Sequence, residues 1–216
     1  MKNAITYLKY NQQLLKMKNK IKVPKEIIIA SHNPGKVKEI NILLNDIGIK
    51  ALPISIYSDI EPTENGNNFK ENALIKARNA KRLSKTTSLA DDSGLCVEAL
   101  NGDPGIYSAR WAGLNKDFNI AMSLIEERLN GKNNKKAYFI CALALVTQNN
   151  EEYVFEGKIN GTITFPKRGN KGFGYDPIFI PENHSFTFGE MNPIKKELIS
   201  HRAMAFKQFK ENIIVD

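Results

Sequence analysis

The segment EIIIASHNPGKVKEINILLNDIG, residues 26–48, passes from an apolar run through a polar turn into an amphipathic pattern. The run EIIIA is typical of a short buried strand. The pattern after the turn places four apolar side chains on one helical stripe, and Gly48 follows as a stop signal. These four are Val37, Ile40, Leu44 and Ile47. We therefore predict a strand, a tight turn and a helix, an arrangement with which many α/β proteins begin.

The turn SHNPGK, residues 31–36, has the features of an anion site. Asn33 followed by Pro34 predicts an N-cap and a first helical residue. Free backbone N–H groups, the helix dipole and the Lys36 ammonium would then converge. The turn is not a Walker A loop, because its glycine spacing differs and Val37 follows the lysine. A capped helix without a ligand explains the same residues and stays open as an alternative.

A second helix is predicted over residues 68–84. Its apolar stripe consists of Phe69, Ala73, Ala77, Ala80 and Leu83. Lys76 falls in the middle of this stripe, so its ammonium must either snorkel past the core or point into a polar cleft. The pattern alone favours snorkelling. The preceding loop carries Asp59, Glu61 and Glu64, which by themselves read as solvated turn residues.

The segment SLADDSGLCVEAL, residues 88–100, places two aspartates at the end of an apolar strand. Side chains alternate along a strand, so Asp91 and Asp92 point to opposite faces if the strand continues through them. One carboxylate could then face a site while the other holds a turn with Ser93 and Gly94. An Asx-turn that merely ends the strand is the alternative.

The C-terminal half predicts a hairpin, a glycine-rich loop and a last helix. The hairpin joins residues 137–147 to residues 152–163. In the loop PKRGNKGFGYDPIFIP, residues 166–181, Phe173 lies between two glycines and resembles a base-stacking platform, although a buried anchor for the loop is the alternative. The last helix begins with Ser200 as N-cap and buries a stripe of Phe206, Phe209 and Ile213.

The first turn of this last helix contains His201 and Arg202. The positive end of the helix dipole disfavours cations there. We therefore expect these two side chains to serve as donors.

Composition and charge indicate one ordinary globular domain preceded by a basic extension. The chain has 216 residues and a net charge of +8. Residues 1–25 contain seven lysines and no acid, so the rest of the chain is nearly neutral. We predict an extension over residues 1–24 and one domain over residues 25–216. The extension could be a solvated tail, a frayed helix or a surface-binding arm.

The sequence predicts neither a membrane protein nor a disulfide-linked one. No apolar run approaches the roughly 18 residues of a transmembrane helix, and no secretory signal is recognisable. Cys96 and Cys141 both lie in apolar stretches, which is typical of free buried thiols in a reducing cytoplasm. We expect a cytoplasmic protein.

Five motifs, in this order and spacing, resemble the inosine-triphosphate pyrophosphatase family, over roughly residues 25–214. They are ASHNPGK, FKENALIKARNA, LADDSGLCVEALNGDPGIYSARWAG, GFGYDPIF and KKELISHRAMAF. The resemblance implies an α/β fold of two lobes, with a long central mixed sheet flanked by helices and a nucleotide cleft between the lobes. It also implies a Mg²⁺-dependent homodimer. The implied reaction converts ITP, dITP or XTP and water into the monophosphate and pyrophosphate, which keeps deaminated purines out of DNA and RNA.

The same resemblance implies the site residues. Asp92 is implied as metal ligand and proton acceptor, with Glu64 as second metal ligand, although Glu61 remains open because EPTENG is irregular. The role of Asp91 is also left open, as a turn former or an assisting group. The implied substrate-binding residues are Ser31, His32, Asn33, Pro34, Gly35, Lys36, Lys76, Ser93, Phe173, Gly174, Tyr175, Asp176, Lys196, His201 and Arg202.

Two other functions are compatible with parts of the sequence. A nucleic-acid-binding module could use the basic extension and Phe173, but the extension accounts for nearly all the excess charge, so we expect no nucleic-acid partner. A kinase-type phosphoryl-transfer enzyme is disfavoured because the Walker lysine context is missing. The preference among ITP, dITP and XTP, the role of the extension and the dimer interface do not follow from the sequence.

Overall fold

A computed structural model of the chain describes residues 20–216. Its α-helices are α1 (Pro34–Asn45), α2 (Phe69–Ser84), α3 (Phe118–Arg128), α4 (Pro193–Ile199) and α5 (His201–Asn212). Its strands are β1 (Ile21–Val23), β2 (Glu26–Ile29), β3 (Lys50–Pro53), β4 (Ser88–Val97), β5 (Lys136–Val146), β6 (Glu152–Ile163), β7 (Phe179–Pro181) and β8 (Ile213–Val215).

Six strands form one mixed sheet in the order β3-β2-β4-β5-β6-β7. The strand β2 is parallel to β3 and β4, whereas β4, β5, β6 and β7 pair in antiparallel fashion. The predicted hairpin is confirmed as β5 and β6. The remaining strands, β1 and β8, form a separate parallel pair. The predicted α/β class with a central mixed sheet and flanking helices is confirmed.

Helices pack on both faces of the sheet. On one face, Ile40 and Leu44 of α1 and Phe206 and Phe209 of α5 pack against a core that includes Leu89 of β4. On the other face, Ala73, Ala77 and Ala80 of α2 pack against Ala90, Ala142 and Ala144. Because neighbouring residues of β4 belong to different faces, the alternation continues into Asp91 and Asp92.

The strand β4 runs without interruption from Ser88 to Val97. Of the two alternatives that the sequence left open, the strand that continues through Asp91 and Asp92 is present, and a turn at residues 91–94 is not formed. The reason is tertiary, since β5 pairs with every residue of β4, including Asp91 opposite Leu143 and Asp92 opposite Ala142. An isolated strand has no such partner, and its Asp-Asp-Ser-Gly segment then favours a turn.

Three helix starts agree with the sequence. Asn33, Asn68 and Ser200 are the N-caps of α1, α2 and α5, and each side chain accepts backbone N–H groups of the first turn. The predicted stripe of α5 differs at its end, because Ile213 begins β8 and is buried there. Within residues 20–216, no helix combines the length and the apolar character needed to cross a bilayer.

Candidate active site

A cleft of about 580 Å³ brings together most of the residues that the sequence singled out. Pro34 and Gly35 do not line it. Its lining includes Ser31, His32, Asn33, Lys36, Glu61, Glu64, Lys76, Asp92, Ser93, Phe173, Gly174, Tyr175, Asp176, Lys196, His201 and Arg202.

The turn before α1 is both a helix cap and a wall of the cleft. Asn33 Oδ1 accepts the N–H groups of Gly35 at 3.0 Å and of Lys36 at 3.2 Å. These two N–H groups of the helix start are thus used by the protein itself. The Lys36 ammonium lies 2.6 Å from Asp91 Oδ1. The cation of the predicted anion site therefore already has a carboxylate partner.

Lys76 reaches into the cleft and joins two carboxylates. Its Nζ lies 2.7 Å from Glu64 Oε1 and 2.9 Å from Asp92 Oδ1. The sequence pattern favoured a Lys76 side chain that snorkels to solvent, and this prediction is wrong. The ammonium instead points into the cleft, because the carboxylates of Glu64 and Asp92 lie there. Burial opposes the charged lysine, yet Asp92 and Glu64 outweigh it and raise the pKa of Lys76.

Asp92 keeps one carboxylate oxygen without a partner. Its Oδ2 is buried and accepts no hydrogen bond from the residues that the structure describes. Burial raises the pKa of Asp92, and nearby Lys76 and Lys36 offset only part of that effect. A buried oxygen without a donor is costly unless a ligand meets it.

The two glutamates of the acidic loop, between which the sequence left the choice of second metal ligand open, have different partners. Glu64 pairs with Lys76 beside Asp92, whereas Glu61 Oε1 lies 3.3 Å from His32 Nδ1. Arg110, which the sequence analysis did not single out, donates from Nη2 to the Glu64 backbone carbonyl at 2.7 Å. The loop that carries Glu64 is thus tied to Arg110, which also lines the cleft.

Asp91 is enclosed on the other face of β4. It is completely buried, and its carboxylate contacts Lys36, Arg202 and the Cys141 thiol, which donates to Oδ2 at 3.1 Å. Burial alone would raise its pKa, but the Arg202 and Lys36 charges hold the pKa of Asp91 well below its usual range. With both oxygens engaged, Asp91 orders the two cations.

Arg202 and Lys196 continue this network of charges. The Arg202 guanidinium donates to Asp91, to Ser93 and to Glu39 of α1. Lys196 contacts Glu39 at 3.2 Å and Asp176 at 2.7 Å. Glu39 is not among the site residues predicted from the sequence. Its position three residues after Lys36 on the same helix was the available signal, since residues i and i+3 share a face.

The glycine-rich loop holds Phe173 against the start of α1. The Phe173 N–H donates to Asp176 Oδ2 at 2.8 Å, and the Lys196 ammonium lies 4.8 Å from the Phe173 ring centroid. A Cβ atom on Gly35 would lie 3.0 Å from the same ring. The missing side chain at Gly35 therefore lets the Phe173 ring lie close to the start of α1, although Gly35 does not line the cleft.

His201 is buried beside this loop, and Tyr175 is buried within it. The His201 ring stacks on Phe139 with centroids 4.8 Å apart, and its Nδ1 has no partner among the described residues. Burial, together with the Arg202 and Lys196 charges, holds the pKa of His201 well below its usual value. The Tyr175 hydroxyl donates to the Ser108 carbonyl at 2.8 Å, which fixes the loop to its support.

Comparisons with known proteins agree on one family. The model of the Ham1 family matches residues 27–212. The dITP/XTP pyrophosphatase of Caulobacter vibrioides is 50% identical over 187 residues, which cover 86% of this chain and 96% of that protein. The dITP/XTP pyrophosphatase of Zymomonas mobilis is 45% identical over 188 residues, covering 86% of this chain and 90% of the relative. The structure of the Staphylococcus aureus Ham1 protein superimposes with a TM-score of 0.78 at 38% identity, covering 86% of this chain and 96% of that one.

Proposed function

The chain belongs to the Ham1 family, and we propose that it hydrolyses the non-standard purine triphosphates dITP, XTP and ITP to the monophosphate and pyrophosphate. The observation that carries the proposal is the content of one cleft. Lysines that suit a triphosphate, a carboxylate with an unpartnered oxygen, and a loop that presents an aromatic ring all line it. Removal of deaminated purines from the nucleotide pool is the consequence that we infer.

The cleft has a donor set that suits Mg²⁺. Glu64 and Asp92 share Lys76 as cationic partner, and Asp92 Oδ2 is buried without a donor from the part of the chain that the structure describes. No group of three or more His, Cys, Asp or Glu side chains arranged for a metal occurs within residues 20–216. Two carboxylates are nevertheless sufficient, because Mg²⁺ usually takes one or two of them together with waters and substrate phosphates. Held there, Mg²⁺ would polarise the phosphoryl group and acidify the attacking water.

The chain's own residues then divide the remaining work. Lys36 and Lys76 neutralise phosphate oxygens, and Asp92 accepts the proton of the attacking water. The water oxygen bonds to the α-phosphorus while the bond from that phosphorus to the bridging oxygen breaks. The products are the nucleoside monophosphate and pyrophosphate.

We propose that the base lies against Phe173 and near His201. The Phe173 ring offers a stacking surface for every base. His201 Nδ1, which has no hydrogen-bond partner among the described residues, can carry the ring proton and donate a hydrogen bond to the 6-oxo group of hypoxanthine or xanthine. Adenine has an amino donor at that position, so two donors would face each other and binding would weaken.

The assembly, location and extent of the enzyme are further parts of the proposal. We propose a homodimer, as the family resemblance implies, in the cytoplasm. The free buried cysteines Cys96 and Cys141 suit a reducing compartment. For the domain boundary we favour a start near residue 20 instead of residue 25, because β1 pairs with β8.

Product analysis tests the function. Purified protein with Mg²⁺ is incubated with dITP, XTP, ITP, ATP and GTP, and the products are separated by ion-exchange chromatography. We expect monophosphate and pyrophosphate from the first three substrates and far less product from ATP. Asp92→Asn serves as the control for contaminating phosphatases. Release of orthophosphate, or equal turnover of ATP, would contradict the proposal.

A further inference from the structure

Lys76 occupies the place between the two carboxylates that suit a metal ion. Its Nζ contacts Glu64 Oε1 at 2.7 Å and Asp92 Oδ1 at 2.9 Å. All three side chains are largely withdrawn from water, with exposed fractions of 13% for Lys76, 29% for Glu64 and 8% for Asp92. One ammonium therefore serves two acids.

No other cationic side chain within residues 20–216 forms an ion pair with Glu64 or Asp92. The other lysines of the cleft have different partners. Lys36 pairs with Asp91, and Lys196 pairs with Glu39 and Asp176. A divalent metal ion that binds Glu64 and Asp92 therefore finds the Lys76 ammonium already bound to both carboxylates.

A metal ion and this ammonium compete for the same oxygens. A dication placed beside the retained ammonium is repelled at short range in a poorly solvated site. If the ammonium leaves the two acids, it becomes a buried charge without a partner, which is costly. A triphosphate removes both difficulties, because its oxygens offer the ammonium a new anionic partner while the carboxylates turn to the metal.

We propose that Lys76 stands in for the metal ion in the nucleotide-free protein and thereby couples metal binding to triphosphate binding. The inference rests on the proposed function, since it takes Glu64 and Asp92 as the metal carboxylates. Coupling between two ligands is reciprocal. The triphosphate therefore tightens metal binding by the same factor by which the metal tightens triphosphate binding.

Calorimetric titration tests the proposal on three proteins: the wild type, Lys76→Met and Lys70→Met. Lys70 lies on the same helix but pairs with Glu156 at an exposed position, so its variant is a matched control for the loss of one lysine. Each protein is titrated with Mg²⁺ alone, and again in the presence of α,β-methylene-ITP, in which the bond to be cleaved is replaced by a stable one.

For the wild type and Lys70→Met we expect weak Mg²⁺ binding alone and binding at least about fivefold tighter with the analogue, the lower end of common coupling factors. For Lys76→Met we expect tighter binding of Mg²⁺ alone and a coupling factor smaller than in the wild type, because only the direct contact between Mg²⁺ and the phosphates then links the two ligands. Binding of Mg²⁺ to this variant that is no tighter than in the wild type overturns the proposal.

Two further measurements keep the test decisive. If Lys76→Met does not fold, the wild type is titrated with the analogue at several Mg²⁺ concentrations, and an affinity independent of Mg²⁺ overturns the coupling. Pyrophosphate release from dITP is measured on the same wild-type preparation. Product formation without coupling contradicts only this inference, whereas an absence of pyrophosphate contradicts the proposed function itself.

Discussion

Asp91 and Asp92 are neighbours in β4 but experience opposite environments. Asp91 is fully buried between Lys36 and Arg202. Burial alone would raise its pKa, but the two positive charges outweigh burial and hold the pKa low. Asp92 meets one ammonium, its Oδ2 has no hydrogen-bond partner within residues 20–216, and its pKa is raised by burial. One carboxylate therefore orders other side chains, while the other is available to a ligand.

Replacing each aspartate by asparagine separates these roles. Asp91→Asn leaves two buried cations with too little negative charge and is expected to lower the free energy of unfolding by about 3–5 kcal/mol. Asp92→Asn is expected to change it by less than about 1 kcal/mol but to reduce turnover at least ~10²-fold, because it removes the proton acceptor and a metal ligand. Urea unfolding and pyrophosphate release measure the two effects. The reverse pattern would show that the faces of β4 have the opposite functions.

His201 gives the protein a pH-dependent contribution to stability. Burial and the neighbouring cations lower its pKa in the folded state, so the unfolded chain binds a proton more readily once the pH falls below about 6.5. The folded state therefore loses stability as the pH falls through and below that value, by up to ~1.4 kcal/mol per pH unit.

The variant His201→Gln isolates this contribution because glutamine does not titrate. Between pH 7 and pH 5 we expect the unfolding free energy of the wild type to fall more steeply than that of the variant. Groups shared by both proteins, such as Asp176, largely cancel in the difference. Parallel curves from urea unfolding at each pH would contradict a buried neutral His201.

At the scale of elements, the site depends on how closely α5 approaches β6. A Cβ atom on Gly157 of β6 would lie 2.0 Å from the His201 carbonyl oxygen and 2.4 Å from the Ala205 backbone nitrogen. The absence of a side chain at Gly157 thus allows the first turn of α5, with His201 and Arg202, to lie on the sheet.

Gly157→Ala is expected to displace this helix. The backbone of α5 must move, so we expect a loss of about 1–3 kcal/mol of stability, as in overpacked cores. The KM for dITP should rise as well, because His201 and Arg202 move together. Gly131→Ala, at a left-handed glycine outside the cleft, is the control for a general glycine effect and should leave KM unchanged. An unchanged KM in Gly157→Ala would show that the helix position does not affect substrate binding.

At the scale of the whole molecule, the boundary of the domain is decided by the pairing of its ends. Strand β1 pairs with β8, and Val23 of β1 is completely buried in the core beside α1 and α5. Residues 1–19 lie outside the described residues. We propose that the enzyme domain requires residues 20–24 but not residues 1–19.

Two truncations test this boundary. Deletion of residues 1–19 is expected to leave turnover and thermal stability unchanged. Deletion of residues 1–24 also removes Val23 and is expected to cost at least the ~1.5–3 kcal/mol of one buried aliphatic side chain. Circular dichroism melting and pyrophosphate release compare the two. Loss of activity in a folded protein without residues 1–19 would assign a role to the basic extension.

The local chemistry of the chain was sufficient to predict the helices α1, α2 and α5 with their starts and the strands β2, β4, β5 and β6. The N-caps Asn33, Asn68 and Ser200 act within one helical turn, so their effect is readable from neighbouring residues. The apolar periods of α1 and α2 and the β5–β6 hairpin followed for the same reason. The resemblance of five ordered motifs then indicated the family, and most of the implied site residues do line one cleft.

Only the tertiary structure decided how the charges pair. The strand continues through Asp91 and Asp92 because β5 supplies its hydrogen bonds, and Lys76 points into the cleft because Glu64 and Asp92 lie there. The partners of Glu39 were decided by the tertiary structure, because Lys196 and Arg202 follow it by more than 150 residues along the chain. Ion pairs depend on distances across the fold. A sequence pattern reports only neighbours within a strand or a few helical turns, so it reveals the charged residues but not their partners.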